Sequence, residues 1–391
     1  MKEGWEYKKL GEVCDFEGGS QPPKSEWINH PQEGFVRMLQ IRDFTQSRSF
    51  EIEYVKNTKK IRLCKADDIL IGRYGASVGK ILTGLAGAYN VAIIKSIPDE
   101  KVIAKSYIRR YFESSLFQNI LFKVCASRAA QAGFSKDDIC DALIPVPPLS
   151  EQKTIVDYLD AAFAKIDAMK ANAEKRLNEA QALFQASLKK MLEPKEGWED
   201  KALKDFATDM YRGSGVKRDQ VTEDGISCVR YGEIYTKYNY HFNECDSHTL
   251  EEYVNSPKYF EYGDILFAIT GESVEEIGKS IAYTGKDKCI AGGDIVVMKH
   301  NYEPRYISYA LSTPSAIKQK GRGKTKLKVV HTNIPSLKEI IIPIAPVNEQ
   351  IIIADTLDSL KSKVDRLQEN YDKISQECDA LKQAILRQVF E

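Results

Sequence analysis

No apolar run in this sequence approaches the roughly 20 residues that a membrane-spanning helix needs. A run such as Ile340-Ile341-Ile342 stops at Pro343. Met1 to Trp5 lead straight into mixed polar sequence without an apolar stretch, so no secretory signal is expected and the cytoplasm is the expected compartment. The eight cysteines (14, 64, 125, 140, 228, 245, 289, 378) show no CxxC pair and no paired spacing. They predict free, mostly buried thiols. His241, Cys245 and His248 lie close in sequence, but no fourth ligand follows at a useful spacing and no metal site is expected. Net charge is also absent, with 56 basic against 56 acidic residues. That balance argues at first against a nucleic-acid partner, although an even total can hide local patches. Disorder is excluded, because 43% of the residues are hydrophobic.

Catalytic signatures are missing as well. The sequence has no GxGxxG after a strand, no Gly-x-Ser-x-Gly elbow and no HExxH helix, and its five histidines stand alone. Neither an (Asp/Asn)-Pro-Pro-(Tyr/Phe) segment for amino-methylation nor a carboxylate and lysine set for phosphodiester cleavage can be assembled. The glycine-rich segments Gly72 to Lys80 and Thr270 to Ser280 resemble phosphate loops. Yet a Walker motif needs glycine five positions before its Gly-Lys pair, where this chain has Tyr74 and Ser273. Each loop also leads into a strand-like run rather than a helix that could cradle a triphosphate. The chain reads as non-catalytic.

What the sequence does contain is a copy of itself, at an offset of about 193 to 204 residues. Lys2-Glu3-Gly4-Trp5-Glu6 returns as Lys195-Glu196-Gly197-Trp198-Glu199, and Asp68-Ile69-Leu70 as Asp264-Ile265-Leu266. Gly75-Ala76-Ser77-Val78 answers to Gly271-Glu272-Ser273-Val274, each followed by a Gly-Lys pair, Gly79-Lys80 and Gly278-Lys279. Ile144 to Pro148 matches Ile342 to Pro346, and Glu151-Gln152 matches Glu349-Gln350. The first part of each copy, residues 1–148 and 194–346, mixes short strand-like runs (Phe35 to Leu39, Ile69 to Ile71, Val91 to Ile94, Ile295 to Met298) with glycine-rich turns, which predicts α+β globules.

After the prolines each copy turns helical for about 40 residues (149–193 and 347–391), with Ser150 or Asn348 placed to cap and an acid in the first turn. Ile353, Leu357, Leu360, Val364, Leu367, Tyr371, Ile374, Cys378, Leu381 and Ile385 alternate by four and three, a coiled-coil period. Ile155, Leu159, Ala162, Ile166, Met169 and Ala173 begin the same stripe in the first copy. Such a stripe can also mark an amphipathic helix lying on its own globule, but its length favours a helix–helix seam. Each helix would be roughly 60 Å long. An antiparallel, intramolecular, pseudo-twofold pair with a globule at each end is the simplest arrangement.

Cations cluster only locally. Lys318, Lys320, Arg322, Lys324, Lys326 and Lys328 occupy every second position, so an extended segment would project them to one side as a phosphate-binding comb. Gly321 and Gly323 would equally suit a solvated loop. Arg109-Arg110 sits in a helical stretch and is a weaker candidate. Turns presenting Arg73, Ser77 and Lys80, or Ser273 and Lys279, could offer N–H groups and cations to a nucleic-acid backbone.

Two globules, each closing on Leu143-Ile144-Pro145-Val146-Pro147-Pro148-Leu149-Ser150-Glu151-Gln152 or Ile341-Ile342-Pro343-Ile344-Ala345-Pro346-Val347-Asn348-Glu349-Gln350 before a long helix, resemble over their whole length the specificity subunits of type I restriction–modification enzymes. Gly18-Gly19-Ser20 and Gly75 to Lys80 meet that family's glycine-rich loops. The second copy departs from them at Arg212-Gly213-Ser214-Gly215, and Gly293-Asp294 stand where the first copy has Tyr89-Asn90. The resemblance implies a DNA-reading subunit without catalysis, in a multisubunit adenine-N6 methyltransferase and type I restriction endonuclease. Each globule would bind half of an asymmetric, split double-stranded DNA target while the helices set the gap. DNA contacts are then expected from Gly19, Ser20, Gln21, Arg37, Gln40, Arg42, Arg73, Tyr74, Ser77, Lys80, Asn90, Arg128 and Gln131. In the second globule they would come from Arg212, Ser214, Lys217, Arg218, Arg230, Ser273, Lys279, Lys320, Arg322, Lys324, Lys326 and Lys328. Glu151, Gln152, Leu159, Ile166, Glu349, Gln350, Leu357 and Val364 would line the helices on which two modification subunits dock, and through them a restriction subunit. No cofactor is expected in this chain. S-adenosylmethionine, ATP and Mg would belong to the partners. A stand-alone DNA-binding regulator and a structural coiled-coil adaptor are the other readings.

Overall fold

The computed structural model describes residues 4–46, 50–126, 133–274, 276–323 and 330–391. Two compact units result, residues 1–173 with 371–391, and residues 174–370. In the first, a four-stranded antiparallel sheet runs in the order Cys14–Gly18, Ile93–Pro98, Ile69–Gly72, Ile81–Leu82. A smaller sheet runs Tyr54–Lys56, Phe35–Leu39, Gly87–Tyr89, Leu63–Cys64, with its central pair parallel. The second unit repeats this plan with a fifth strand on each sheet. Its larger sheet runs Asp209–Arg212, Ile295–Lys299, Ile265–Ala268, Ser280–Tyr283, His241–Phe242, and its smaller one Val221–Thr222, Ser247–Thr249, Ile226–Val229, Cys289–Ala291, Tyr259–Phe260. The expected strand over Val91 to Ile94 begins only at Ile93, because Asn90 turns the chain by accepting the Ala92 N–H on its own Oδ1.

The long helices cover Leu149–Met191 and Val347–Phe390. They start one residue before the expected caps, so Ser150 and Asn348 lie in the first turn, and Pro148 and Pro346 precede it with their carbonyls accepting the first helical bonds. Within the first unit residues 149–173 and 371–391 run antiparallel. Lys170 pairs with Asp379 at 3.3 Å and Lys382 with Asp167 at 2.5 Å, while Cys378 packs on the Ile166 carbonyl. The seam departs from the predicted stripe, since Met169 and Leu381 are exposed and Leu386 and Phe390 are buried instead. The cause is shared packing: Val156, Leu159, Phe163 and Ile166 join Cys378, Leu386 and Phe390 in the same core as the globule's Tyr107, Tyr111 and Phe117. Phe390 stands 5.3 Å from the Tyr107 ring and 5.6 Å from that of Tyr111. In the second unit Phe184, Leu188 and Leu192 meet Ile353, Leu357 and Val364 in an equivalent core.

The proline-rich motif is the joint between globule and helix. Gln152 is fully buried; its Nε2 donates to the carbonyls of Val102 and Pro147, and its Oε1 accepts the Ala104 N–H at 2.7 Å. Gln350 repeats this with the Ala345 carbonyl and the Glu303 N–H. Glu151 accepts from the Trp5 indole at 2.8 Å, and Glu349 from Trp198 at 3.2 Å. A buried amide with all these bonds made is a clasp. The expectation that Gln152, Gln350, Leu159 and Leu357 face a partner is therefore corrected, because all four are enclosed within their own unit. Ile166 and Val364 are also in the cores. Among the large apolar side chains that these helices expose are Tyr158, Met169, Leu183 and Ile352.

Candidate nucleic-acid interface

Each larger sheet ends in a glycine–serine turn wedged against the smaller sheet. Gly19 donates to the Ile93 carbonyl at 3.1 Å and Ser20 to that of Tyr89 at 3.0 Å. Gly213 and Ser214 donate in the same way to Ile295 and Ala291, both at 2.8 Å. Glycine is required by closeness: a Cβ on Gly19 would lie 2.0 Å from the Asn90 carbonyl oxygen, and one on Gly213 would lie 2.2 Å from that of Gly292. These bonds correct the sequence register. Ala291 and Gly292, not Gly293 and Asp294, occupy the places of Tyr89 and Asn90.

A second turn stands beside each cradle. Gly72 donates to the Lys80 carbonyl and Gly79 to that of Gly72, matched by Ala268 with Lys279 and Gly278 with Ala268. Gly79 and Gly278 take φ of 78° and 71°, which favours glycine. The cations differ between the two copies. Arg73 lies beside Gly18, donates its Nε to the Phe134 carbonyl at 3.1 Å and has its guanidinium 5.1 Å from the exposed Tyr74 ring. No carboxylate pairs with it among the described residues. In the second unit the residue at that place is Ile269, and the guanidinium comes from Arg212, at the place of Gly18, where Asp294 neutralises it at 2.7 Å.

Lys80 is exposed, whereas Lys279 turns inward to the Tyr235 and Tyr238 carbonyls, and burial holds its ammonium below the usual lysine range. Ser77 and Asn90 border the first cradle, and Gln21 is exposed just beyond it. The hydroxyl of Ser20 accepts the Arg62 N–H and that of Ser214 the Lys258 N–H. Arg37, Gln40 and Arg42 are tied into one acidic network: Arg37 on Asp43 at 2.6 Å, Gln40 and Arg42 on Glu53 at 2.8 and 2.6 Å. Arg230 is held by Glu233 at 3.0 Å, and Ser273 bonds Glu276 at 3.2 Å. Lys217 precedes and Arg218 opens a short 3-10 turn, Arg218–Gln220. Arg110 pairs with Glu113 and Asp160, and Arg109 with Glu113.

The expected comb is not extended over its described half. Lys318 and Lys320 belong to a helix, Pro314–Lys320, capped by the Thr313 hydroxyl. Proline at the first helical position after a threonine was the signal that could have revealed it. Lys320 points inward, 5% exposed, with its Nζ on the Ser280 hydroxyl at 2.9 Å, so it does not face a DNA backbone. Arg322 is exposed. Arg128, Gln131, Lys324, Lys326 and Lys328 lie outside the described residues.

His241 does not join the two neighbours considered for a metal. Its Nε2 meets Asp358 at 2.9 Å, and Tyr309 and Arg305 donate to the same carboxylate at 2.6 and 2.7 Å. Burial raises the Asp358 pKa, but these bonds outweigh it and bring it down to about 2. Sequence reasoning missed this cluster, because its members are up to 117 residues apart.

A sequence profile described as the type I restriction modification DNA specificity domain matches residues 2–179 and again 195–376. The chain belongs to that family. The EcoKI specificity subunit of Escherichia coli K12 is 24% identical across all of this chain and 89% of its own length. The StySPI specificity subunit of Salmonella potsdam is 22% identical over the same shares. Among solved structures, a chain from work on complex assembly and conformational transition of the type I R-M system superposes at TM-score 0.75, with 16% identity over 100% of this chain and 98% of that one. The HsdS subunit of Thermoanaerobacter tengcongensis gives 0.53 at 16% identity, covering 100% and 97%. At such identities the structural likeness speaks for the fold, and the profile carries the family. A type I specificity subunit supports DNA sequence recognition, and no described helix is long and apolar enough to cross a membrane.

Proposed function

We propose that each unit reads one half of an asymmetric bipartite DNA target through its glycine–serine cradle, and that the long helices fix the unread gap. The observation carrying this reading is the recurrence of one backbone cradle, with the same four hydrogen bonds, among side chains that differ: Gly18, Arg73 and Asn90 in one unit, Arg212, Ile269 and Gly292 in the other. A conserved backbone frame with different base-facing groups suits two unlike half-sites, with arginine favouring guanine and asparagine or glutamine favouring adenine. The exposed helix residues Tyr158, Met169, Leu183 and Ile352 suit the docking of two methyltransferase subunits, which would flip out the adenine each methylates and carry S-adenosylmethionine. A restriction subunit using ATP and Mg would join through them, and this chain would act in the cytoplasm without catalysing a step.

Removing seven residues, one heptad, from each helix tests the ruler. Methylation mapping of genomic DNA should show a gap shortened by a few base pairs with both half-sites unchanged. Altered half-sites would overturn it.

A further inference from the structure

We propose that the second unit holds a pocket for a small phosphate-bearing anion, behind the turn that carries Lys279 and lined by Lys320. The cavity measures about 330 Å³ and is lined by Lys279, Lys320, Lys361, Tyr235, Tyr240 and Glu276, among others. Three lysines therefore line one space against a single carboxylate among the described residues. Glu276 is engaged by the Ser273 hydroxyl, and Lys361 is held from outside the cavity by Asp365. The other two amines bond only to dipoles among the described residues, Lys279 to two carbonyls and Lys320 to the Ser280 hydroxyl.

The first copy shows how unusual Lys320 is. Ser114 and Thr313 cap equivalent turns by bonding back to the Tyr111 and Ala310 carbonyls, which places Leu121, a fully buried leucine, where the second copy has lysine. A buried ammonium without a carboxylate is costly, and burial brings Lys320 down to about 7. An anion in the adjoining cavity would supply the missing counter-charge, and phosphate would do so with oxygens enough to reach the Lys361 amine and the tyrosine hydroxyls as well. Its binding would draw a proton onto Lys320 and so weaken as pH rises past neutrality.

The test is calorimetric titration of the full chain with inorganic phosphate and with adenosine 5′-monophosphate, against sodium chloride at equal ionic strength, in parallel with thermal unfolding. One or both phosphates should bind and raise the unfolding midpoint by about 2 to 5 °C at roughly ten times the dissociation constant. Lys320→Leu, which installs the first copy's residue and should fold, should abolish both signals. Absence of both heat and a midpoint shift with both phosphates in the unaltered chain would overturn the proposal, as would equal binding by Lys320→Leu. If neither phosphate binds but Lys320→Leu weakens duplex DNA binding, the lysine serves a DNA phosphate and the small-molecule site is likewise refuted.

Discussion

The two units share a backbone and disagree about where to put their charges. Beside the first cradle the guanidinium is Arg73, rooted on a carbonyl, while beside the second it is Arg212, tied to Asp294. At the matching turn Lys80 is exposed and Lys279 is folded inward. The joint between globule and helix varies in the same manner. Asp160 and Asp358 occupy equivalent helix positions, yet the first is held by Arg110 and the second by Tyr309, Arg305 and His241 together. Duplication preserved the bonds the backbone makes with itself and left the side chains free to diverge. The first unit thus offers less neutralised positive charge at its cradle, and the second invests more in internal pairing.

The largest expected effect breaks one unit and spares the other. Phe390→Ala removes a ring packed between Tyr107 and Tyr111 and should cost the first unit about 3 to 5 kcal/mol. Hydrogen exchange should show early opening of amides in residues 4–173 with those of 174–370 protected as before; uniform loss of protection would contradict separate cores. Next, Gly19→Ala and Gly213→Ala should each displace a carbonyl now within 2.5 Å of the added carbon, lowering affinity for one half-site of a duplex and leaving the other intact. Footprinting on duplexes with either half scrambled distinguishes them.

Asp358→Asn should cost about 1 to 2 kcal/mol at neutral pH. Because the folded carboxyl titrates below its ordinary value, its contribution is full above about pH 4 and fades as pH falls toward 2. Acid unfolding curves of variant and unaltered chain should therefore converge at low pH. The smallest difference separates the arginines: Arg73→Ala should weaken DNA binding and flatten its salt dependence more than Arg212→Ala, whose charge Asp294 already offsets. Equal slopes would remove the charge asymmetry.

The duplication, the α+β globules, the long helices and their joint were legible because each rests on local spacing or repeated words. The pairing partners of Gly213 were not, since loops of unequal length between the copies moved the register by two residues, and only backbone hydrogen bonds reset it. Lys320 misled for a different reason. Alternating lysines suggest a strand in isolation, but Thr313 and Pro314 start a helix there, and the leucine at the corresponding place in the first copy would have marked the position as interior. The buried role of Gln152 and Gln350 also escaped notice, as a polar residue after a proline stop reads as surface until the carbonyls it satisfies are known.

The first core is assembled from residues near both ends of the chain, whereas the second draws on an uninterrupted stretch, 174–370. During synthesis the later-encoded globule can therefore complete its interior first. The earlier one lacks Cys378, Leu386 and Phe390 until residues 371–391 have left the ribosome. For these two cores, the order of synthesis and the order of completion are opposite.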